Sequence, residues 1–449
     1  MILLTSKDLK QQLLVGYDES LSHSGINGER LAQRLHELAQ IGMTHEYGSN
    51  RIGFSTEERK AKDFIKSWMV EANLKVREDG AGNIIGRLEG RLKDSAAILS
   101  GSHVDSVPNG GHFDGPLGVL VALEVAQAWQ DQGYLPELPY EVVVFSDEEG
   151  SRFNGGLTGS QAMMGELDFD KLHTLYDIHG VPFKEVMEQA GLRVDSLKQA
   201  KRDVSEIKAF IEVHIEQGKL LEKEGLTLGV VTGIAGPSWM NVTFTGQAGH
   251  AGNTPMTDRK DALVAAGQFI AGLKDLPQTV SSTAVATVGK LQVYPNGVNV
   301  IPGEVQLTVD IRDVDLEARD ELVQRVLRLG EGIAKQGNIS FSAFETLKID
   351  PVPMNEGMQN TLHAAIQDLA KSTPILAPAL IEQSKETPFS LISGAGHDAM
   401  ILGKHVPTAM LFVRSKEGIS HNPREWTSLN DCMISAHALK ACIERMMVI

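Results

Sequence analysis

The chain has 449 residues, 42% hydrophobic and 22% charged, with a formal net charge of -16. That length exceeds one ordinary core and suits two domains. The acidic balance argues against nucleic acid or an anionic membrane as main partner, while leaving room for a small anionic substrate in a local basic pocket.

In chain order, "NGERLAQRLHELAQIG" places Leu31, Leu35 and Leu38 at helical spacing between Asn27 and Gly42. "FSTEERKAKDFIKSWMVEANL" opens with Ser55 and Glu58 at capping-box spacing and predicts a second helix. Apolar strand-like runs follow at 95–103, 140–149, 208–216 and 408–415, with helical stretches such as "GVLVALEVAQAWQDQG" between them. Near-continuous apolar strands alternating with helices predict an α/β domain with a buried, mainly parallel sheet. The middle differs. "WMNVTFTGQ", "TDRKDALVAAGQFIAGLKDL", "STAVATVGKLQVYP", "GEVQLTVDIRD", "LEARDELVQRVLRLGEGIAKQG" and "ISFSAFETLKI" read β-α-β-β-α-β, the ferredoxin-like order. We therefore expect the α/β domain in two segments, 1–233 and 349–449, with an α+β domain inserted over 234–348.

The cysteines, Cys432 and Cys442, share one helix-like stretch and face apart, so they do not pair. "MILLTSKDLKQQLL" lacks the basic start of a signal peptide, and no stretch reaches the apolar length of a membrane span. These features together point to the reducing cytoplasm.

Four apolar strands end in ligand chemistry. The first runs into His103 and Asp105, within "HVDSVPNGGHFDGPLG". The second ends in Asp147, Glu148 and Glu149, the third carries His214 and Glu216, and the fourth leads to "GISHNP" with His421. Carboxyl ends of parallel strands form the ligand crevice of such a sheet, so these groups can converge. Imidazoles mixed with carboxylates suit Zn²⁺, Mn²⁺, Ni²⁺ or Co²⁺ better than Ca²⁺ or Mg²⁺. The groups suffice for two ions ~3.5–4 Å apart, with Asp114 on its glycine-flanked loop well placed as the bridge. Glu148 and Glu149 alternate along the chain, so one can ligate while the other acts as base. Any one of these residues alone is more often a hydrogen-bonded surface group or a solvated turn. Spacing leaves open whether His103 or His112 ligates and which glutamate is the base.

"GSHVDSVPNGGHFDGPLG", "SDEEGSRF", "HIEQG", "GHAGNTPMTDRKDAL", "PNGVNVIPGEVQLTVDIRD", "SGAGHDA" and "GISHNP" together resemble the hydantoinase/carbamoylase family of dinuclear metal amidohydrolases. Its members include N-carbamoyl-L-amino-acid hydrolases, allantoate amidohydrolases and β-ureidopropionases, within the aminoacylase/carboxypeptidase-like metallopeptidases. The resemblance runs from about residue 27 to the C-terminus and leaves the first ~25 residues as an extension.

The resemblance implies two divalent ions (Zn, Mn, Ni or Co). His103 and Glu149 would serve different ions, His214 joining one and His421 the other, with Asp114 as the bridge. Asp105 would orient His103, and Glu148 would be the general base. In the inserted domain, His250 would reach across a homodimer to the oxyanion, and Asn299 and Arg312 would bind the substrate carboxylate. Gln217, Gly396 and His397 would complete the pocket. His112 falls where relatives vary and reads as a loop residue. His23, His36, His45, His173, His179, His363, His405 and His437 match no motif and read as structural or surface groups. Without the resemblance, Arg312 reads as a salt bridge closing a sheet edge; its planar fork suits a carboxylate bidentately.

The implied reaction is hydrolysis of the ureido bond of an N-carbamoyl-L-amino acid to amino acid, CO2 and NH3. "DEEGSRF", "VVTGIAG" and "REWTSLNDC" favour this over allantoate, and "SGAGHDA" suits both. An aminoacylase or dipeptidase is a further alternative, against which "HIEQG" and "SRF" speak. So is a non-catalytic binding paralogue, against which the intact ligand set and Glu148 speak.

Overall fold

The computed structural model describes residues 8–382 and 384–448. The chain forms two compact units. The first comprises residues up to Thr232, Met354–Leu391 and the segment from His397 onward. The second comprises Gly233–Pro353 with Ile392–Gly396.

The first unit is built on a mixed sheet with a parallel centre. Strands Tyr140–Phe145, Ala97–His103, Ile207–Ile215 and Thr408–Val413 lie side by side in that order, all parallel. Antiparallel strands flank them, Ile84–Leu88 and Lys75–Glu78 on one side and Leu228–Ile234 on the other. All four central strands are buried, apart from Lys208 at the start of Ile207–Ile215. This explains their unbroken apolar character, since both faces of a covered parallel sheet exclude water.

The helix Pro116–Asp131 packs on this sheet and against the helix Leu429–Met447. Its residues Leu117–Ala126 are all buried, and all are apolar or glycine except Glu124, which pairs with Arg30. Each Leu or Val so buried contributes about 1.5–3 kcal/mol. Helix Gly28–Ala39 is capped by Asn27, whose side chain accepts the Arg30 N–H at 2.9 Å. Helix Thr56–Glu71 is capped by Ser55, which accepts from Glu58 N–H. The reciprocal bond of a capping box is displaced by one residue, because Glu58 accepts from Phe54 N–H at 2.6 Å instead of from Ser55. In the expected N-terminal extension, Leu9–Leu14 is a short helix that buries Leu9 and Leu13, while residues 1–7 lie outside the described residues. Among the described residues, no helix is long and apolar enough to cross a membrane.

The register sets the carboxyl ends of the four parallel strands along one edge. His103 stands opposite Phe145, and Val413 opposite Ile215. The polar groups that terminate each run are thereby brought together, as the crevice rule for such sheets requires.

In the second unit, four antiparallel strands run in the order Ser340–Lys348, Gly236–Thr245, Glu304–Asp313, Val285–Tyr294. With helices Ala262–Leu273 and Leu316–Gly337 this is the ferredoxin-like arrangement. Alternate residues Met240, Val242 and Phe244 meet Val305, Leu307, Val309 and the helical Phe269 and Leu322 in one core. Strand Val285–Tyr294 is an edge strand with several exposed side chains.

Candidate metal centre

His103 closes its strand and is completely buried. Its Nδ1 lies 3.1 Å from the backbone oxygen of Asp105 and 3.4 Å from Asp105 Oδ1, so Nε2 faces the cluster. The glycine after Asp114 permits this. Gly115 has φ +80°, and a Cβ there would stand 2.5 Å from the His103 ring. Arg51 braces the same strand end from below. Fully buried, it donates to the backbone oxygens of Val104, Leu38 and Ile41 at 2.8, 3.2 and 3.3 Å.

Asp114 sits at the centre. Its Oδ1 lies 3.1 Å from His214 Nε2 and 3.7 Å from His103 Nε2. Its Oδ2 lies 3.3 Å from His421 Nε2, and His421 Nε2 is in turn 3.5 Å from Glu149 Oε2. The result is two trios, His103/Asp114/His214 and Asp114/Glu149/His421, whose ligating atoms in each lie within 4.8 Å of one another. His214 turns its other nitrogen to the Ile215 backbone oxygen at 2.9 Å.

A cation fits these residues. His103 Nε2 and Glu149 Oε1 are buried polar atoms with no hydrogen-bond partner. Leaving such an atom unsatisfied costs about 1–3 kcal/mol each. Each trio thus contains a residue with an orphaned buried atom beside the shared Asp114, an arrangement that positive charge would complete. Its mixed nitrogen and oxygen donors suit divalent transition metals and zinc.

The turn after strand Tyr140–Phe145 separates its three acids. Asp147 adopts φ +52° and points away from the cluster, accepting from Thr158 Oγ1 at 2.7 Å. Glu149 faces His421. Glu148 belongs to neither trio, and its Oε2 stands 3.6 Å from His103 Nε2. Both glutamates are pinned from behind, because the Glu148 and Glu149 N–H groups each donate to Asp105 at 3.1 Å. Burial pushes Glu148 well above the usual carboxyl range, with Glu149, Asp398 and Asp105 adding to the pull of burial against His103. Burial opposes ionisation of Asp114 too, but there the contacts from His214 and His421 prevail and hold it well below its usual range. His421 is raised to about 9, chiefly by its hydrogen bond with Asp114.

Gln217 has φ +56° and donates Nε2–H to Asp114 Oδ2 at 2.8 Å. Glu216, by contrast, turns back to accept from the Leu220 and Leu221 N–H groups. His397 is buried, edge-on to His214 at a ring separation of 4.4 Å. His112 donates Nε2–H to the Tyr47 backbone oxygen at 2.8 Å and joins neither trio. None of the eight unmatched histidines enters either trio. His23 and His437 stack on each other at 4.1 Å.

In the second unit, His250 accepts the Gly252 and Asn253 N–H groups on Nδ1 at 3.1 and 3.2 Å. That leaves the neutral ring's proton on Nε2. Asn299 is exposed and its backbone oxygen accepts from Ala251. Arg312 pairs with Asp310 at 2.8 Å and donates to the Gly394 backbone oxygen at 2.6 Å. Gly396 ends the short segment that belongs to this unit.

Sequence reasoning passed over several residues that build the centre. Glu212 is a buried carboxylate that accepts from Ser102 Oγ at 2.7 Å and Ala399 N–H at 2.9 Å, tying the strand under His214 to the His397 loop. Ser420 and Glu425 flank His421 and both reach toward Asp114. Only their nearness to "SHNP" signalled them.

The family model for peptidase family M20/M25/M40 matches residues 99–445. The chain is 44% identical to an N-carbamoyl-L-amino acid amidohydrolase of Geobacillus stearothermophilus, over 92% of this chain and 97% of the relative. It is 36% identical to an allantoate amidohydrolase of Bacillus subtilis (strain 168), over 90% and 93%. Among solved structures, an amidase of the hydantoinase/carbamoylase family from Burkholderia multivorans superposes with a TM-score of 0.84 at 33% identity, over 94% and 98%. A buried cluster of imidazoles and carboxylates at the strand ends, on a chain aligned almost end to end with such enzymes, makes this protein an amidohydrolase of the hydantoinase/carbamoylase family, within peptidase family M20/M25/M40.

Proposed function

We propose that the protein hydrolyses the ureido C–N bond of N-carbamoyl-L-amino acids, giving the L-amino acid, CO2 and NH3. The observation that carries the reading is Asp114 shared between two ligand trios with Glu148 beside them and in neither. The choice of substrate is supported by the 44% identity to an N-carbamoyl-L-amino acid amidohydrolase.

In this reading the trios hold two divalent ions, drawn from Zn, Mn, Ni and Co. Bound there, such ions supply Lewis-acid polarisation and an acidified water. The chain's own groups do the rest. Glu148, buried and pushed upward, takes the proton of the attacking water and passes it to the leaving nitrogen. His250, with its proton on Nε2, donates to the tetrahedral oxyanion. Asn299 and Arg312 receive the substrate carboxylate, and for Arg312 this means sharing the fork with Asp310. Gln217, Gly396 and His397 line the remainder. Asp105 keeps His103 and the two glutamates in register.

The protein works as a cytoplasmic homodimer in which the small unit pairs with its twin and lends His250 to the partner's centre. The exposed edge strand Val285–Tyr294 supports that pairing, since an unpaired edge is a template for another strand. A hydrolysis screen tests the function. N-carbamoyl-L-amino acids should turn over well ahead of their D-forms, allantoate and N-carbamoyl-β-alanine. Preference for allantoate would transfer the assignment to the allantoate amidohydrolases, which are also relatives.

A further inference from the structure

Glu425 is buried and lies four residues beyond the His421 ligand. Its Oε1 accepts two backbone donors of the Asp114 loop, Phe113 N–H at 2.8 Å and Asp114 N–H at 3.1 Å. Its Oε2 lies 2.8 Å from Ser420 Oγ, and the same hydroxyl lies 2.7 Å from Asp114 Oδ2. Glu425 therefore grips the shared ligand twice, through its backbone and through a serine on its carboxylate. Asp114 Oδ2 is also the oxygen that faces His421. Ser420 is the residue next to His421, so one clamp ties the loops of both ligands together.

The loop sequence is cut to admit this clamp. A Cβ at Gly111 would stand 2.0 Å from Glu425 Oε1, and its three nearest neighbours would all be atoms of the Glu425 side chain. Gly111 shows no left-handed φ. Its lack of a side chain is thus explained by Glu425 rather than by backbone conformation.

We propose that Glu425 is a positioning residue. With Ser420 it holds Asp114 in the orientation that serves both trios, and the Asp114/Glu149/His421 trio is fully formed only while this clamp is closed. The inference rests on the two-ion reading above and not on the choice of substrate. A hydroxyl has one proton, which Ser420 can give to Asp114 or to Glu425 but not to both. A glutamine at 425 resolves this contest. Its oxygen can accept the two backbone N–H groups and its amide can donate to Ser420 Oγ, which commits the serine proton to Asp114.

The test uses full-length protein freed of metal by chelation and titrated with Co²⁺ alone, followed by calorimetry and by the visible cobalt spectrum. Glu425→Ala should leave one binding step near wild type and weaken the other by about 10–100-fold, with a changed spectrum. Glu425→Gln should restore both steps and the wild-type spectrum. Gly111→Ala, which touches no ligand, displaces the Glu425 side chain and should mimic Glu425→Ala. Ser420→Ala should weaken the same step, and it decides the matter with Gly111→Ala should Glu425→Ala not fold. Wild type that takes up two ions, with Glu425→Ala unchanged or Glu425→Gln as impaired as Glu425→Ala, overturns this proposal alone. Wild type that takes up fewer than two ions overturns the two-ion reading and this proposal with it.

Discussion

Asp105 and His103 are joined through two atoms of the aspartate. His103 Nδ1 stands 3.1 Å from the Asp105 backbone oxygen and 3.4 Å from its Oδ1, while the two carboxylate oxygens also accept Glu148 N–H and Glu149 N–H. One buried side chain thus sets the imidazole of one strand and the glutamates of the next. Asp105→Ala removes the Oδ1 contact to His103 and both glutamate N–H bonds, leaving His103 only the backbone oxygen. It should lower metal affinity by about 10–100-fold, the range for losing a residue that orients a ligand. Metal content at limiting free metal, measured with activity, checks it; unchanged content would show that the backbone oxygen alone suffices to orient His103.

Exchange of the two glutamates separates their roles. Glu148→Gln should lower turnover by about 10²–10⁴-fold while metal content stays near wild type. Glu149→Gln should lose metal from the trio it shares with His421. The opposite pattern would mean that the base and the ligand have been interchanged.

Chelation should abolish turnover, and Mn²⁺, Co²⁺, Ni²⁺ or Zn²⁺ should restore it. Full turnover by protein verified to be metal-free would end the metal reading.

Complementation tests the sharing of the centre between subunits. His250→Ala and Glu148→Gln proteins should each be inactive. Their heterodimer holds one centre with both residues intact and one centre lacking both, so it should show about half of wild-type activity, and a statistical 1:1 mixture about a quarter. No recovery in a proven heterodimer would place His250 in its own subunit's centre.

His437 makes a pH-dependent contribution to stability remote from the centre. It is buried, stacked on His23, and donates to the Leu21 backbone oxygen at 2.8 Å. Burial lowers it to about 4 from the ordinary 6.5. The unfolded chain therefore takes up this proton first, so the stabilisation is complete above pH 6.5 and is lost as pH falls toward 4. Its full size is at most roughly 3 kcal/mol. Thermal unfolding from pH 7 to 4 should fall less steeply in His437→Gln than in wild type. Parallel curves would assign the acid sensitivity to other groups, among them the buried His112, also lowered to about 4.

The sequence by itself determined the architecture and the edge at which chemistry happens. Unbroken apolar runs that end in His103, the 147–149 acids and His214, alternating with helical stretches, read as parallel strands covered on both faces, and such strands deliver their ends to one crevice. The alternation in 236–245 marks a strand with one buried face, which is how the small unit's sheet is built.

Contacts between distant segments separate residues that spacing left alike. His103 and His112 are close in the chain and similar in setting. His103 turns Nε2 into the cluster because Asp105 takes its other nitrogen, whereas His112 spends Nε2 on Tyr47. Glu148 and Glu149 are distinguished by the left-handed Asp147, which sets the turn, and by His421, which stands beside only Glu149 within a trio. The role of Glu425 could not be read from its nearness to "SHNP", because its partner Asp114 lies 311 residues away. A sequence pattern records which residues are local neighbours and how often polarity recurs. Orientation about a bridging carboxylate depends on hydrogen bonds across the fold, and those exist only once the strands are side by side.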